Sequence, residues 1–435
     1  MIVTDGLLCD LDPPRVERGH LRIEGDRIVE RGSALPARAG DERINAGGAV
    51  VLPGLVNGHT HLYSALAVGM PPPPEPPRNF REILERVWWR LDRALDARSI
   101  ETSAIIGALD AVRCGTTTLI DHHASPNCID GSLDVVERAL QRVGVRGVLC
   151  YETTDRHGRA GREAGLAENR RYIKRRASAT GGRFAGLVGA HASFTLDDDA
   201  LDALAALAEE CGVGVHLHVA EDPCDEQDAQ RRGAKSLIER LAGHRLLSPR
   251  AIFAHGTHLD AAAAARVSEA QVTLAHNPRS NMNNAVGYAP LGAFRGPVML
   301  GTDGIGGDLF AEVRAAWLIA RHERAALTPG RIVEMLAVSA RRASECLGVT
   351  VGRLQPGAAA DVLITDYVPA GPLHDQNLAG HLLFGLSSRH IRHVLVAGRT
   401  VVRDRCVMTC DEAGQRAAAG EVARRLWERM VGQPP

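Results

Sequence analysis

The chain has 435 residues, 51 of them basic and 52 acidic, for a net charge of −1 at neutral pH, and 45% of its residues are hydrophobic. So even a charge balance gives no bulk attraction to nucleic acid or to a membrane surface. No apolar run reaches the roughly 18 residues that a membrane-spanning helix needs, and the length calls for about two to three domains, or one large barrel with an accessory domain.

In chain order, the opening MIVTDGLLCDLDPP carries acids where a secretory leader needs bases, so it reads as mature structure. Nine cysteines are scattered from Cys9 to Cys410 without a CxxC pair, which fits small buried thiols in a reducing cytoplasm. Residues 1–54 read as short strands and turns, with a Gly-Asp hairpin signal inside LRIEGDRIVERG. Residues 351–410 read the same way, in ADVLITDY and IRHVLVAGRTVVRD, so the two ends are expected to pair into one small β-sandwich domain. Between them, residues 55–350 alternate short apolar runs with amphipathic stretches such as SLDVVERALQRVG. The runs are VLPGLVNGHTH, TTTLIDHH, GVLCYETT, FAGLVGAHASF, GVGVHLHVAED, AIFAHGTHL, VTLAHNPRS and VMLGTDG. Strand–helix alternation implies a parallel sheet, and eight such units predict a (β/α)8 TIM-like barrel. Residues 411–435 have helical periodicity and form a C-terminal helix.

One excursion interrupts the rhythm. GMPPPPEPPRNF, residues 69–80, is neither helix nor inner strand. It leads into REILERVWWRLDRALD, a helix carrying Trp88 and Trp89. Together they read as a lid that brings Trp89 to a substrate, or as a stiff connector whose tryptophans pack on the barrel.

Polar residues at strand ends carry the chemistry. His59 and His61 are two apart, so in a strand they share a face. The fifth run supplies His216, His218 and Glu221, the sixth His255, the seventh His276, and the eighth Asp303. Barrel enzymes gather catalytic groups at the C-terminal ends of their strands. His59, His61, His218 and Asp303 form the expected ligand set for one divalent ion, zinc or alternatively iron. Asp303 both touches the ion and accepts a proton from water; Glu221 delivers a proton to the substrate; His255 hydrogen-bonds the attacked centre. His216 is either a hydrogen-bond partner of a ligand or a packed core histidine. Weaker candidates for the pocket are His122 beside Asp121 and His123, Arg279 in HNPRSNMNN, and Glu152 and Arg156 in YETTDR; each has an equally simple reading as a structural turn or loop brace.

The motifs PGLVNGHTH, GTTTLIDHH, HVAE, AHG, HNPRSNM and LGTDG occur in this order over nearly the whole chain. In them the chain resembles the amidohydrolase superfamily, in its deaminase and chlorohydrolase branch. WWRLDRALD, DHHASP, ETTDR and RSNMNN followed by GTDGIGGD make it most similar to the SsnA-type aminohydrolases; DHH is shared with 8-oxoguanine deaminases. The resemblance implies that His59, His61, His218 and Asp303 bind one divalent metal, that Glu221 and His255 act at the substrate, and that His191 in GAHASF contacts it. It also implies a homodimer or higher oligomer. Dinuclear members bridge their metals with a carboxylated strand-end lysine. The only two lysines, Lys174 and Lys235, both read as helix residues, so a mononuclear site is expected.

The expected reaction is hydrolytic deamination of an aminated heterocycle of purine, pterin or pyrimidine type. The alternatives are opening of a cyclic amide or displacement of a halide in the same site, and, from another class, a non-catalytic metal-binding scaffold. The expected partner is a small heterocyclic substrate, with neither nucleic acid nor membrane. No P-loop, HExxH or GxSxG occurs, nor the PCxxC signature of the zinc nucleobase deaminases.

Overall fold

The computed structural model describes residues 1–36, 38–179 and 181–433. The two chain ends meet in one nine-stranded sheet. Its centre is Val50–Pro53, which pairs parallel with Ile2–Leu11 and antiparallel with Val362–Thr365. From there the sheet continues through the N-terminal hairpins on one side and through Ile391–Val396 and Arg399–Arg403 on the other. Leu8, Leu21, Ile28, Val51, Val362 and Leu395 are buried together in this unit.

All eight apolar runs form strands: Leu55–Thr60, Thr116–His123, Arg146–Tyr151, Phe184–Gly186 continued by Val188–Ala192, Val215–Val219, Ile252–His255, Thr273–His276 and Val298–Leu300. Every pairing among them is parallel, in one group of four and one of five. The break falls at Leu187, whose N–H donates to Leu149, whereas the N–H of Val188 donates to Gly214. The last strand lies beside the first: Thr302 and Asp303 both donate their N–H groups to the carbonyl of His59, at 2.9 and 3.0 Å. Gly58 permits that approach, because a Cβ there would lie 2.8 Å from the Leu300 carbonyl oxygen.

A buried ion pair ties the two regions together. Arg146, at the start of its strand, places Nε 2.7 Å from Asp361 of the end sheet, and neither side chain is exposed. Asp361 also accepts the N–H of Ala397.

The excursion after the first strand is helical from Phe80 to Ala94, capped by the Asn79 side chain, but not regularly so. Leu84–Trp88 is a π-helical turn, a form that concentrates at functional sites. The C-terminal helix Glu412–Val431 lies against it, with Trp427 Nε1 donating to Leu66 and Arg429 Nε to Ala94. Lys174 lies on the helix Gly158–Ala177 and pairs with Glu210 at 2.7 Å. Lys235 is not helical: Ser236 caps the helix Leu237–Gly243 by accepting the N–H of Glu239, leaving Lys235 in the exposed bend before it. Among the described residues all nine cysteines are free, and no helix is long and apolar enough to cross a membrane.

Candidate functional site

The strand-end histidines are oriented from behind. His61 Nδ1 donates to the His122 carbonyl at 2.6 Å, His218 Nδ1 to the His191 carbonyl at 2.9 Å, and His255 Nδ1 to Asn281 Oδ1 at 2.9 Å. A carbonyl oxygen only accepts, so each ring carries its proton on Nδ1 and turns an Nε2 lone pair inward. His59 is held in the same way by His216, Nδ1 to Nε2 at 2.9 Å. The inward nitrogens converge. His61 Nε2 lies 3.1 Å from His218 Nε2 and 3.0 Å from Asp303 Oδ1; His59 Nε2 lies 3.4 Å from the same oxygen. Donor atoms of His59, His218, His255 and Asp303 all fall within 4.8 Å of one another.

That arrangement is unfavourable without a cation. His59 Nε2 and His255 Nε2 are buried with no hydrogen-bond partner, and lone pairs facing each other repel. Burial, aided by the neighbouring imidazoles of His61 and His255 and opposed by Asp303, pulls His59 down to about 3. His61 is also pulled down by burial, but its contact with Asp303 outweighs this and raises it to about 9, so the space between the two favours positive charge. Asp303 is pushed up by burial, yet the imidazoles of His59 and His61 hold it well below the ordinary carboxylate range. Imidazole nitrogens and one carboxylate around a point that attracts positive charge fit a divalent transition ion.

Glu221 stands just past His218. Burial, and then the charge of Asp303, push its carboxyl well above the ordinary value. Its Oε2 lies 3.5 Å from His255 Nε2. The backbone is left-handed at Ala220 (φ 52°), at His255 (φ 76°) and at Asp303 (φ 54°), each just beyond or at the end of its strand. Asp225 pins the first of these turns, accepting the N–H of Ala220 at 2.9 Å and that of Phe194 at 3.1 Å. Burial raises Asp225 to about 7.

Above the imidazoles lies a cavity. Phe80, Leu84, Trp88 and Trp89 form one wall. Because of the π turn, residues four and five positions apart reach it together. Glu152, His191 and Glu221 line the cavity as well, together with Ser280, Asn283 and Asn284. Glu152 sits beneath a latch that fixes the wall. Arg156 donates to Asp92 Oδ2 and to Glu152 Oε1, each at 3.2 Å, and its guanidinium lies 4.6 Å from the Trp89 ring centre.

The sequence candidates divide. His59, His61, His218, His255, Asp303 and Glu221 come together, and Trp89 and His191 face the cavity. His122 lies behind it: its Nε2 donates to the His216 carbonyl at 3.0 Å and its Nδ1 is 3.3 Å from Glu152 Oε2. Arg279 does not line the cavity either. Its Nε donates to the buried Glu312 at 2.6 Å, and its terminal nitrogen to the carbonyls of Ile305 and Gly306. The reason is helical geometry. In the helix Pro278–Asn283, positions 280, 281 and 284 share a face and 279 points away. Ser280 donates to Asp303, Asn281 holds His255, and Asn284 reaches the cavity. Sequence reading passed over these three, although the motif RSNMNN contains them; the spacing of its polar residues was the available signal. His276 stands apart, edge-on to Tyr288, with no hydrogen bond on either ring nitrogen.

Known proteins share this architecture. The chain is 30% identical to a 5-methylthioadenosine/S-adenosylhomocysteine deaminase of Desulforudis audaxviator, over 95% of this chain and 96% of that protein. It is 29% identical to a 5′-deoxyadenosine deaminase of Methanosarcina mazei, over 98% and 99%. Among solved structures it superposes on a zinc-bound adenosine deaminase from Xanthomonas campestris (TM-score 0.83, 21% identity, 99% and 98% covered). It also superposes on zinc-complexed atrazine chlorohydrolase from Arthrobacter aurescens (TM-score 0.81, 22% identity, 97% and 99% covered). Residues 50–401 match the amidohydrolase family, most of the chain, and to that family the protein belongs.

Proposed function

We propose that this protein is a metal-dependent deaminase that hydrolyses the exocyclic C–NH2 bond of an aminated heterocycle and releases ammonia. The observation that carries the reading is the pairing of converging, partnerless imidazole nitrogens with a neighbouring buried carboxyl, whose hold on its proton burial strengthens. The deaminase names of the full-length relatives support it.

In this reading His59, His61, His218 and Asp303 hold one divalent ion, zinc or iron. A bound ion of this kind supplies Lewis acidity and a nucleophile at neutral pH. The chain supplies the proton traffic. Asp303, ionised and beside the ligand nitrogens, accepts the proton of the attacking water. Glu221, protonated, donates to the ring nitrogen next to the attacked carbon. His255, with Nε2 near Glu221, hydrogen-bonds the attacked centre. Asp303 then returns its proton to the departing amine, and as the carbonyl forms the proton remaining on the added oxygen passes back to Glu221, so water and the amino heterocycle become the oxo heterocycle and ammonia. We further read the eight strands as a closed barrel with this site at its C-terminal mouth. Residues 1–54 and 351–410 form a separate β-sandwich domain beside it.

Glu221→Gln tests the assignment. Turnover is expected to fall by roughly 10² to 10⁴, the usual worth of a positioned acid, with metal content unchanged by elemental analysis. Full activity in that variant overturns the proton role. Assaying ammonia and chloride side by side over a panel of amino- and chloro-heterocycles separates deamination from halide displacement.

A further inference from the structure

The cavity is selective in its charge. Among the described residues lining it there is no lysine and no arginine, whereas Glu152, Glu221 and Asp303 all do so. Arg156, the guanidinium behind Glu152, is already engaged by Asp92 and Glu152 and stacked against Trp89. A phosphate or carboxylate entering this space meets no lysine or arginine among these residues; the one cation there is the ion of the proposed site, already faced by Asp303, and the tail lies against Glu152 instead.

Glu152 is only 3% exposed, yet it contributes to the cavity surface. Its Oε1 is fixed by Arg156, and its Oε2 lies 3.3 Å from His122 Nδ1. A carboxylate has about four acceptor sites. With one oxygen anchored from behind, the group is rigid and retains capacity for donors from the cavity side. The remaining wall is aromatic and flat, from Trp88, Trp89 and Phe80.

We propose that Glu152 is a specificity-determining residue: it accepts hydrogen bonds from N–H or O–H groups on the substrate, and the cavity admits neutral, planar heterocycles while rejecting derivatives that carry phosphate or carboxylate. This rests on the deaminase reading above and narrows its substrate class. It also separates this chain from any relative whose substrate carries a charged tail.

The test uses the intact metal-loaded protein and matched pairs of ligands: adenosine, guanosine, cytidine and pterin, each beside its phosphorylated or carboxylated derivative. Ammonia release gives kcat/KM, and calorimetric binding to Glu221→Gln protein gives Kd without turnover. The expected result is a preference for the neutral member of the best pair by at least about 10²-fold. In Glu152→Gln the Kd of that neutral ligand rises by roughly ten- to a hundredfold. The neutral-to-anionic ratio then shrinks with it, a ratio that partial misfolding does not alter. Equal or stronger binding of the anionic member overturns the inference, as does an unchanged ratio in Glu152→Gln or an absence of binding across the panel. If the neutral ligands bind selectively but none releases ammonia, the deaminase reading fails and the selectivity stands.

Discussion

The strand-end floor of the site and the helical wall above it hold their charged and imidazole groups in different ways. In the wall, Arg156 is matched by Asp92, Glu152 and the face of Trp89. On the floor, the rings are fixed through Nδ1 while the inward nitrogens of His59 and His255 are left without partners. Buried polar groups are nearly always satisfied. Two of the exceptions, His59 Nε2 and His255 Nε2, face the same point, and both rings are held in place from behind. Partnerless ring nitrogens held from behind and turned to one point mark where a ligand belongs.

The contrast can be broken most sharply at His218. His218→Ala is expected to lose stoichiometric metal by elemental analysis, and turnover falls to the uncatalysed background. A full complement of metal in that variant would sink the distinction. Next in size is Asp92→Ala in the wall. Removing one partner of a buried ion pair costs roughly 3 kcal/mol, to be read in denaturant midpoints, while metal content stays at the wild-type level. A loss of metal there would mean that wall and floor are one unit. Asn281→Ala removes the hold on His255 without touching the other rings. Activity is expected to fall about 10- to 100-fold, the usual cost of losing a residue that orients a site histidine, while metal content stays unchanged because His255 is not one of the four ligands; steady-state kinetics and elemental analysis measure the two.

The last test varies pH and concerns Asp225, which joins floor to wall through Ala220 and Phe194. Its folded value of about 7 lies above the ordinary 3.8. The folded state therefore favours the protonated form. The group's contribution to stability is complete below about pH 3.8 and is lost as pH rises through about 7. Asp225→Asn cannot titrate, so its stability relative to wild type should improve steadily from pH 4 to pH 8. A difference that is flat with pH contradicts the assignment.

The floor was legible in the sequence because strands impose a period of two and end where polar residues begin. His59 and His61 share a face for that reason, and Glu221 follows His218 out of its strand into the turn. The wall was less legible. A π turn between Leu84 and Trp88 has no signature in composition, and it decides which aromatic side chains reach the cavity. Arg279 looked like a substrate reader because it is the charged residue of its motif. Helical phase turned it toward Glu312 and gave the site Ser280, Asn281 and Asn284 instead. The pairing of the two chain ends was visible as strand-like pattern. That they share one nine-stranded sheet depends on contacts more than 300 residues apart in the chain, such as Val51 with Ile364, which no local pattern encodes.

His255 and Asp303 carry φ values of 76° and 54°, where a side chain with a β-carbon is ordinarily penalised. Alanine scanning at these two positions therefore changes two things at once, the functional group and the conformational preference of the peptide unit that presents it. Asparagine tolerates the same backbone. It is the substitution whose kinetic consequences can be assigned to chemistry alone, and a library aimed at altering this enzyme should draw on it before alanine at both sites.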